Sequence, residues 1–229
     1  MHAHSLKVAL ATNNATRTVD EYLQKLAGFG VTLEPWQIIT SSLATADTLA
    51  KEFPGGGAVF VVGENGIQRT LEERGFKPII DPQDETRVVA VVAGMDRSVS
   101  YEKLRRVTFH IRAGVPFYGT NPDRTFPTPQ GLAPGAGSIL AAIEAATDVK
   151  PIIIGKPQPA MMDMALEKLG TKPEESLVVG DRLETDIAAG QAAGCMTALV
   201  LSGVSTREGA ESWQPVPDVV AENLSKIVE

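Results

Sequence analysis

Short apolar, β-branched runs alternate along the chain with segments in which apolar residues recur every three to four positions. Runs of the first kind predict buried strands, and segments of the second kind predict amphipathic helices. After Thr18, for example, Val19, Tyr22 and Leu26 share one helical face, and Thr18 with Glu21 has the spacing of a capping box. This alternation predicts an α/β fold with a Rossmann-like, mostly parallel sheet covered by helices on both faces.

The pattern places the elements as follows. Strands are predicted at residues 6–11, 38–39, 58–62, 87–93, 116–118, 152–154, 177–179 and 197–201. Helices are predicted after Thr18, at 42–52, 64–74, 98–113, 135–146, 159–169 and 184–193, and briefly at the C-terminus. The Pro-, Thr- and Gly-rich segment 120–131 is predicted to be a loop, and loops of that length are usually functional or disordered. Residues 54–57, Pro-Gly-Gly-Gly, predict a linker.

Composition and charge narrow the class of protein. The 229 residues are 43% hydrophobic and 21% charged, which is typical of a soluble globular protein. A net charge of -7 without a Lys/Arg-rich run argues against nucleic acid as a partner. An acidic protein that handles anions needs a local counter-charge, for which a metal ion is the natural candidate. The single cysteine, Cys195, excludes a disulfide within one chain.

No membrane association is expected from the sequence. The apolar runs are short and broken by glycine or charge, so none predicts a membrane span. The first five residues, Met-His-Ala-His-Ser, lack the apolar region of a signal peptide. We therefore expect a cytoplasmic protein.

The first polar group that could carry chemistry is Thr12, Asn13 and Asn14, directly after the first predicted strand. A hydroxyl, two carboxamides and the N–H groups of a strand-to-helix turn suit an anion. An ordinary polar turn is the alternative.

Two further groups of candidate site residues lie elsewhere in the chain. Lys156 comes just after an apolar strand and could neutralise a phosphate, although a surface lysine beside a proline is common. Asn121 and Asp123, in the predicted loop, could contact a substrate, or could simply form a proline turn.

The most informative candidates are two carboxylates. Asp181 follows the apolar strand that ends at Gly180, and Asp186 lies five residues further on. Ligands of parallel α/β sheets bind at the carboxyl ends of the strands, and hard cations such as Mg²⁺ prefer oxygen ligands. The alternative is a helix-capping Asp181 and a solvated Asp186.

The donor cluster, the lysine and the acidic pair each follow a different predicted strand. Phosphoryl transfer requires this combination, because its catalysis consists mainly of positioning and charge neutralisation.

These residues resemble the haloacid dehalogenase (HAD) superfamily of phosphohydrolases, specifically its NagD-like, p-nitrophenyl phosphatase-like subfamily. Residues 11–16, 154–157 and 180–187 resemble the family's second, third and fourth motifs, and residues 120–123, 134–137 and 201–204 are also similar to this subfamily. The resemblance implies a core domain at 1–53 and 151–229 and an inserted α/β cap domain at 54–150.

The resemblance also implies roles for individual residues. Thr12, Asn13 and Asn14 would bind the phosphoryl group, and Lys156 would hold phosphate and nucleophile together, so that Thr12 and Lys156 count as catalytic. Asp181 and Asp186 would form the Mg²⁺ site, with Asp181 as a ligand and Asp186 orienting the ligand shell. Asn121 and Asp123 of the cap would lie near the substrate, a small phosphorylated metabolite. A homodimer through the cap is also implied.

One motif of the family is absent. The Asp-x-Asp run that supplies the nucleophile and the general acid/base occurs nowhere in the sequence. In the family, the strand that carries this run is central to the sheet. Without it, the neighbouring strands must close up, or another segment or chain must fill the gap. The third alternative is that the sequence is a truncated form of a longer protein. We expect truncation, because the other site motifs are intact.

Three functions are compatible with these observations. The first is an Mg²⁺-dependent phosphomonoesterase that lacks its nucleophile strand and is inactive alone. The second is a non-catalytic pseudo-phosphatase that keeps the phosphate and metal pocket as a binding or interaction module. A nucleotide-dependent oxidoreductase ranks last, because residues 134–138 lack the full Gly-x-Gly-x-x-Gly spacing.

Overall fold

The computed structural model describes residues 6–228. The expectation about the first five residues therefore lies outside the described part of the chain. The chain divides into two compact units, Thr12–Gly155 and Met1–Ala11 with Lys156–Glu229. We call the first of these the middle unit and the second the terminal unit, and describe each by itself.

The elements follow in chain order. The strands are β1 (Leu10–Thr12), β2 (Ile38–Thr40), β3 (Gly57–Val62), β4 (Phe76–Ile79), β5 (Ala90–Ala93), β6 (Phe117–Gly119), β7 (Thr125–Thr128), β8 (Gly131–Pro134), β9 (Ile152–Ile153), β10 (Leu177–Gly180), β11 (Met196–Val200) and β12 (Val219–Ala221). The α-helices are α1 (Val19–Ala27), α2 (Ser41–Glu52), α3 (Asn65–Glu73), α4 (Tyr101–Arg112), α5 (Ala136–Thr147), α6 (Ala160–Leu169), α7 (Ala188–Ala192), α8 (Arg207–Ser212) and α9 (Ser225–Val228).

The middle unit is built on a five-stranded parallel sheet in the order β4-β3-β5-β6-β9. Strand β3 is central to it, and the side chains of residues 58–62 are all buried. A continuous apolar run of this kind is typical of a parallel strand covered on both faces. Phe60, Val91, Phe117 and Ile143 belong to the core that this sheet shares with α4 and α5. The predicted parallel α/β class is confirmed.

Helix α1 begins as its sequence predicts. The Thr18 hydroxyl accepts a hydrogen bond from the N–H of Glu21, and the Glu21 carboxylate accepts one from the N–H of Thr18. This reciprocal capping box satisfies two N–H groups that the first turn leaves without partners.

The prediction of a structureless loop at 120–131 is wrong in its second half. Strands β7 and β8 form an antiparallel hairpin in which Thr128 faces Gly131. The prolines in this segment argue against a strand prediction, because proline has no N–H group to donate to the hydrogen bonds between strands. A two-stranded hairpin tolerates them, since each strand has a free edge.

The terminal unit contains a three-stranded parallel sheet in the order β10-β11-β12. One face packs against the turn after β10, where Leu183, Ile187, Leu199 and Ala210 form a buried cluster. The predicted helix at 184–193 is split into one π-helical turn, Leu183–Ile187, and α7.

Strand β10 is an edge of this sheet among the residues that the structure describes. Leu177 and Val179 point to the same side of it and remain 41% and 38% exposed. Unpaired backbone groups beside exposed apolar side chains form a surface suited to pairing with another strand. Of the helices within residues 6–228, none has the length and apolar character needed to cross a membrane.

Candidate functional site

In the terminal unit, Asp186 is the centre of a hydrogen-bond network at the carboxyl end of β10. Its Oδ2 accepts hydrogen bonds from the backbone N–H groups of Asp181 and Arg182, each at 3.2 Å. Its Oδ1 accepts one from Lys156 Nζ at 2.6 Å. Both oxygens of Asp186 are therefore engaged in holding the turn and the lysine.

Lys156 lies at the start of the second segment of this unit and is largely buried. The side chains of Lys156 and Asp186 are 11% and 14% exposed. The ammonium also donates to the carbonyl oxygen of Ala11 at 3.2 Å, one residue before Thr12 in the chain. A carboxylate and a carbonyl thus hold the lysine in place. A cation held in this way is preorganised to bind an anion.

Asp181 is held differently. Its Oδ2 accepts a hydrogen bond from the N–H of Val204 at 3.0 Å, and its backbone oxygen accepts one from the N–H of Ser205 at 2.9 Å. Within residues 6–228 no donor is bonded to its Oδ1. Asp181 therefore has a carboxylate oxygen available to an external ligand, whereas Asp186 has both oxygens occupied.

Two glycines make room for these carboxylates. A Cβ on Gly203 would lie 2.1 Å from Asp181 Oδ2, and a Cβ on Gly180 would lie 2.2 Å from the Cβ of Asp186. Both distances are far below van der Waals contact. Any larger residue at either position would displace a carboxylate, so the site depends on these glycines.

The donor chemistry of Asp181 suits Mg²⁺, which proteins usually bind through one or two carboxylates together with phosphate oxygens and waters. Across residues 6–228, no group of three or more His, Cys, Asp or Glu side chains is placed to hold a metal ion. What these residues offer to Mg²⁺ is one carboxylate oxygen, Oδ1 of Asp181, to which no described donor is bonded.

In the middle unit, Thr12 is the last residue of β1, and Asn13 and Asn14 begin the turn that follows it. The Thr12 hydroxyl accepts a hydrogen bond from the N–H of Asn14 at 3.2 Å. The carboxamide oxygen of Asn14 accepts from both the N–H and the hydroxyl of Thr16 at 2.8 Å. These side-chain hydrogen bonds stabilise the geometry of the turn.

Asn121 and Asp123 lie against this turn. The Asn121 amide donates to the carbonyl oxygen of Asn13 at 2.7 Å, and Asn13 Nδ2 donates to Asp123 Oδ2 at 3.3 Å. Asn121 Oδ1 in turn accepts from the N–H of Asp123 at 3.1 Å. The structure thus brings together two polar segments separated by more than a hundred residues.

The sequence reasoning missed Ser41, whose hydroxyl donates to the same carbonyl oxygen of Asn13 at 2.7 Å. Ser41 comes directly after β2, so its position past a strand end was the available signal. The predicted residues fall into two groups, Lys156, Asp181 and Asp186 in the terminal unit and the remaining five in the middle unit.

Two family models match parts of the chain that contain six of the eight predicted site residues. A family model described as haloacid dehalogenase-like hydrolase matches residues 1–77, and one described as HAD-hydrolase-like matches residues 153–227. Between them they include the Thr12 turn, Lys156 and both carboxylates.

Whole-chain relatives and structures agree with these matches. The chain is 38% identical over 95% of its length to an acid sugar phosphatase of Staphylococcus aureus and covers 82% of that protein. The structure of NagD from E. coli K-12 matches with a TM-score of 0.86 at 32% identity, over 97% of this chain and 85% of that one. A p-nitrophenyl phosphatase from Archaeoglobus fulgidus matches with a TM-score of 0.90 at 33% identity, over 99% and 87%.

Proposed function

We propose that this chain, which belongs to the haloacid dehalogenase superfamily in its NagD-like, p-nitrophenyl phosphatase-like subfamily, carries the phosphate site of a phosphatase for small phosphorylated metabolites. The observation that supports it most is the Lys156–Asp186 ion pair beside Asp181 at the end of β10. A buried cation and a carboxylate with one open oxygen are suited to a phosphate and its counter-ion.

Each residue has a distinct part in this proposal. In the terminal unit, Lys156 is the cation suited to neutralising a phosphoryl group. In the middle unit, Thr12, Asn13 and Asn14 are the polar residues suited to hydrogen bonding with a phosphoryl group. Asp181 is the carboxylate that would hold Mg²⁺, which supplies charge neutralisation when bound. Asp186 is a positioning residue, because both of its oxygens already hold Lys156 and the turn.

We further propose that these 229 residues alone do not turn over a phosphomonoester. The sequence contains no Asp-x-Asp run, and the remaining site residues supply binding and charge without a nucleophile. Asp186 is not a replacement for it, since its two oxygens are engaged.

The second candidate is a non-catalytic module that binds phosphate and a metal ion. The hydrogen bonds around Lys156, Asp181 and Asp186 favour it, because they connect these residues in a chain that contains no Asp-x-Asp run. Tight phosphate binding without turnover would support this module, and weak binding with low thermal stability would support an incomplete enzyme.

The cap at residues 54–150, a homodimer through it and a cytoplasmic location remain proposals that follow from family membership. We propose that strands β3 to β6 of the five-stranded sheet and the β7–β8 hairpin belong to this cap, whereas the edge strand β9 follows residue 150.

Calorimetry with inorganic phosphate and Mg²⁺ tests the proposed site. We expect binding of phosphate that is strengthened by Mg²⁺, and we expect Asp181→Asn to remove that strengthening. Asp163→Asn is the matched control, because Asp163 is an exposed carboxylate in the first turn of α6 of the same unit. Equal Mg²⁺ dependence in wild type and Asp181→Asn would contradict the assignment of Asp181.

A further inference from the structure

The middle unit contains a cavity of about 330 Å³, and every residue that lines it lies between Asn13 and Ala136. Small-molecule sites are typically about 300–1,000 Å³ in volume. The cavity is therefore large enough for a whole metabolite rather than for an isolated ion. Asn13, of the turn that we propose to bind phosphate, forms part of its wall.

The cavity wall is rich in positive charge. Arg17, Lys25 and Arg97 line it, and Asp123 is the only carboxylate among its lining residues. The whole chain carries a net charge of -7, so this excess of cations is local. Clefts lined by one sign of charge concentrate ligands of the opposite sign.

The three cations differ in their partners. Arg97 is held by Glu64, to which its Nε donates at 2.7 Å. Arg17 and Lys25 form no ion pair with any carboxylate among residues 6–228. Their charges are available to a ligand.

Their separation along the chain suits more than one anionic group. Lys25 lies in the last turn of α1, seven residues after the N-cap Thr18, which is about 10 Å along the helix axis at 1.5 Å per residue. Arg17 precedes that cap. A single phosphoryl group bound at Thr12 and Asn13 is too small to use the length of cavity wall that these side chains cover.

Tyr22 and Phe126 complete the wall with aromatic rings. Burial raises the pKa of Tyr22, against the opposing effects of a hydrogen bond with Thr12 and the positive charge of Arg17. Its hydroxyl thus lies near both the proposed phosphate turn and Arg17, and it stays protonated as a donor at neutral pH.

We propose that this cavity selects phosphomonoesters whose other end carries a second anionic group, with Arg17 and Lys25 as the residues that recognise it. The inference rests on the proposed function, since it takes the first phosphoryl group to bind at Thr12 and Asn13. The second group is a carboxylate or a phosphate, and the rings of Tyr22 and Phe126 contact the carbon skeleton between the two.

Calorimetry with two matched esters tests this proposal on the 229-residue chain. Fructose 1,6-bisphosphate and fructose 6-phosphate differ by one phosphate group. We expect the bisphosphate to bind at least about tenfold more tightly, the effect of one charge-assisted hydrogen bond. Arg17→Gln and Lys25→Gln should each remove most of that difference and leave the affinity for fructose 6-phosphate within about twofold. Lys51→Gln, an exposed lysine of α2 outside the cavity, should change neither affinity.

The outcomes separate the inference from the proposed function. Equal affinities for the two esters would overturn the second-anion site while leaving the phosphate site intact. Equal weakening of both esters by Arg17→Gln and Lys25→Gln would also overturn it, because the cations would then hold the common phosphoryl group. Binding of neither ester would overturn the proposed function and this inference together.

Discussion

Lys156 and Asp186 form an ion pair of 2.6 Å between Nζ and Oδ1, and both side chains are more than four-fifths buried. The two residues are thirty positions apart, and their contact joins the strand-end turn after β10 to the first residue of the segment 156–229. This ion pair organises the candidate site of the terminal unit.

Breaking the pair should destabilise the terminal unit strongly. Lys156→Met leaves a buried carboxylate without its cation, and removal of one partner of a buried pair costs about 3–5 kcal/mol. We expect a loss near the lower end of that range, because neither group is completely buried. Urea unfolding in a Trp36→Phe background measures this loss by fluorescence, since the remaining tryptophan, Trp213, packs against this unit's buried cluster.

Two variants serve as controls for that loss. Arg207→Met removes an exposed pair with Glu222, whose side chains are 50% and 70% exposed, and should cost less than about 1 kcal/mol. The double variant Lys156→Met/Asp186→Asn should be more stable than the sum of its single changes implies. Strict additivity would show that the two groups do not interact.

Gly203 should be intolerant of a side chain. Gly203→Ala places a methyl group 2.1 Å from Asp181 Oδ2, so the carboxylate must move. We expect a loss of about 1–3 kcal/mol in the free energy of unfolding, the usual cost of overpacking, together with weaker Mg²⁺ binding. Gly55→Ala, where no described atom beyond its neighbours lies within 4 Å, should be close to neutral. Similar effects of the two variants would refute the steric explanation.

His110 should make the middle unit less stable at mildly acidic pH. Burial, and to a lesser extent the charge of Arg106, lowers the pKa of His110 below its ordinary value of 6.5. The unfolded chain then binds a proton more readily than the folded one, so the free energy of unfolding falls as the pH drops from 6.5 toward the folded pKa.

Replacement of His110 by a residue that does not titrate tests this prediction. Nε2 of His110 is buried without a hydrogen-bond partner among residues 6–228, and its ring packs on Phe60. His110→Phe should therefore reduce the difference in urea midpoint between pH 7.5 and pH 5.5. Replacement of the other two histidines, His2 and His4, by Asn is the control. An unchanged difference in the His110→Phe protein would contradict this assignment.

The edge strand β10 should promote self-association. Leu177 and Val179 are exposed beside unpaired backbone groups, which favours pairing with another chain. We expect concentration-dependent association in sedimentation velocity and a clear decrease with Leu177→Lys. Leu132→Lys, a 75% exposed leucine of the β7–β8 hairpin, is the control for added charge. If both variants lower association equally, β10 is not the contact.

Periodicity predicted most elements correctly where local and tertiary preferences agree. The capping box of Thr18 and the buried run of β3 are such cases, because short-range hydrogen bonds and continuous apolar sequence each specify one structure. The β7–β8 hairpin was missed because its prolines obscure the strand pattern. Strands β4 and β12, and helix α8, were also missed, since each is short and has little periodicity of its own.

The site was predictable only in part, for a related reason. Residues that directly follow strands, such as Thr12 and Asp181, can be found by their position in the chain. Position in the chain does not reveal Arg17, Lys25 and Arg97. These residues share only a cavity wall, which separate parts of the chain form. The sequence also could not predict that Asp181 has a carboxylate oxygen without a donor and Asp186 does not. That difference depends on which oxygens accept hydrogen bonds in the folded chain.

The hydrolysis of p-nitrophenyl phosphate with Mg²⁺ tests the central claim most directly. We predict no release of p-nitrophenol above background from the purified 229-residue chain. We also predict that an N-terminal extension supplying an apolar strand that ends in Asp-x-Asp gives turnover, and that Asp181→Asn abolishes it. Steady turnover by the 229 residues alone, lost on Asp181→Asn, would contradict the account by showing that another residue acts as the nucleophile.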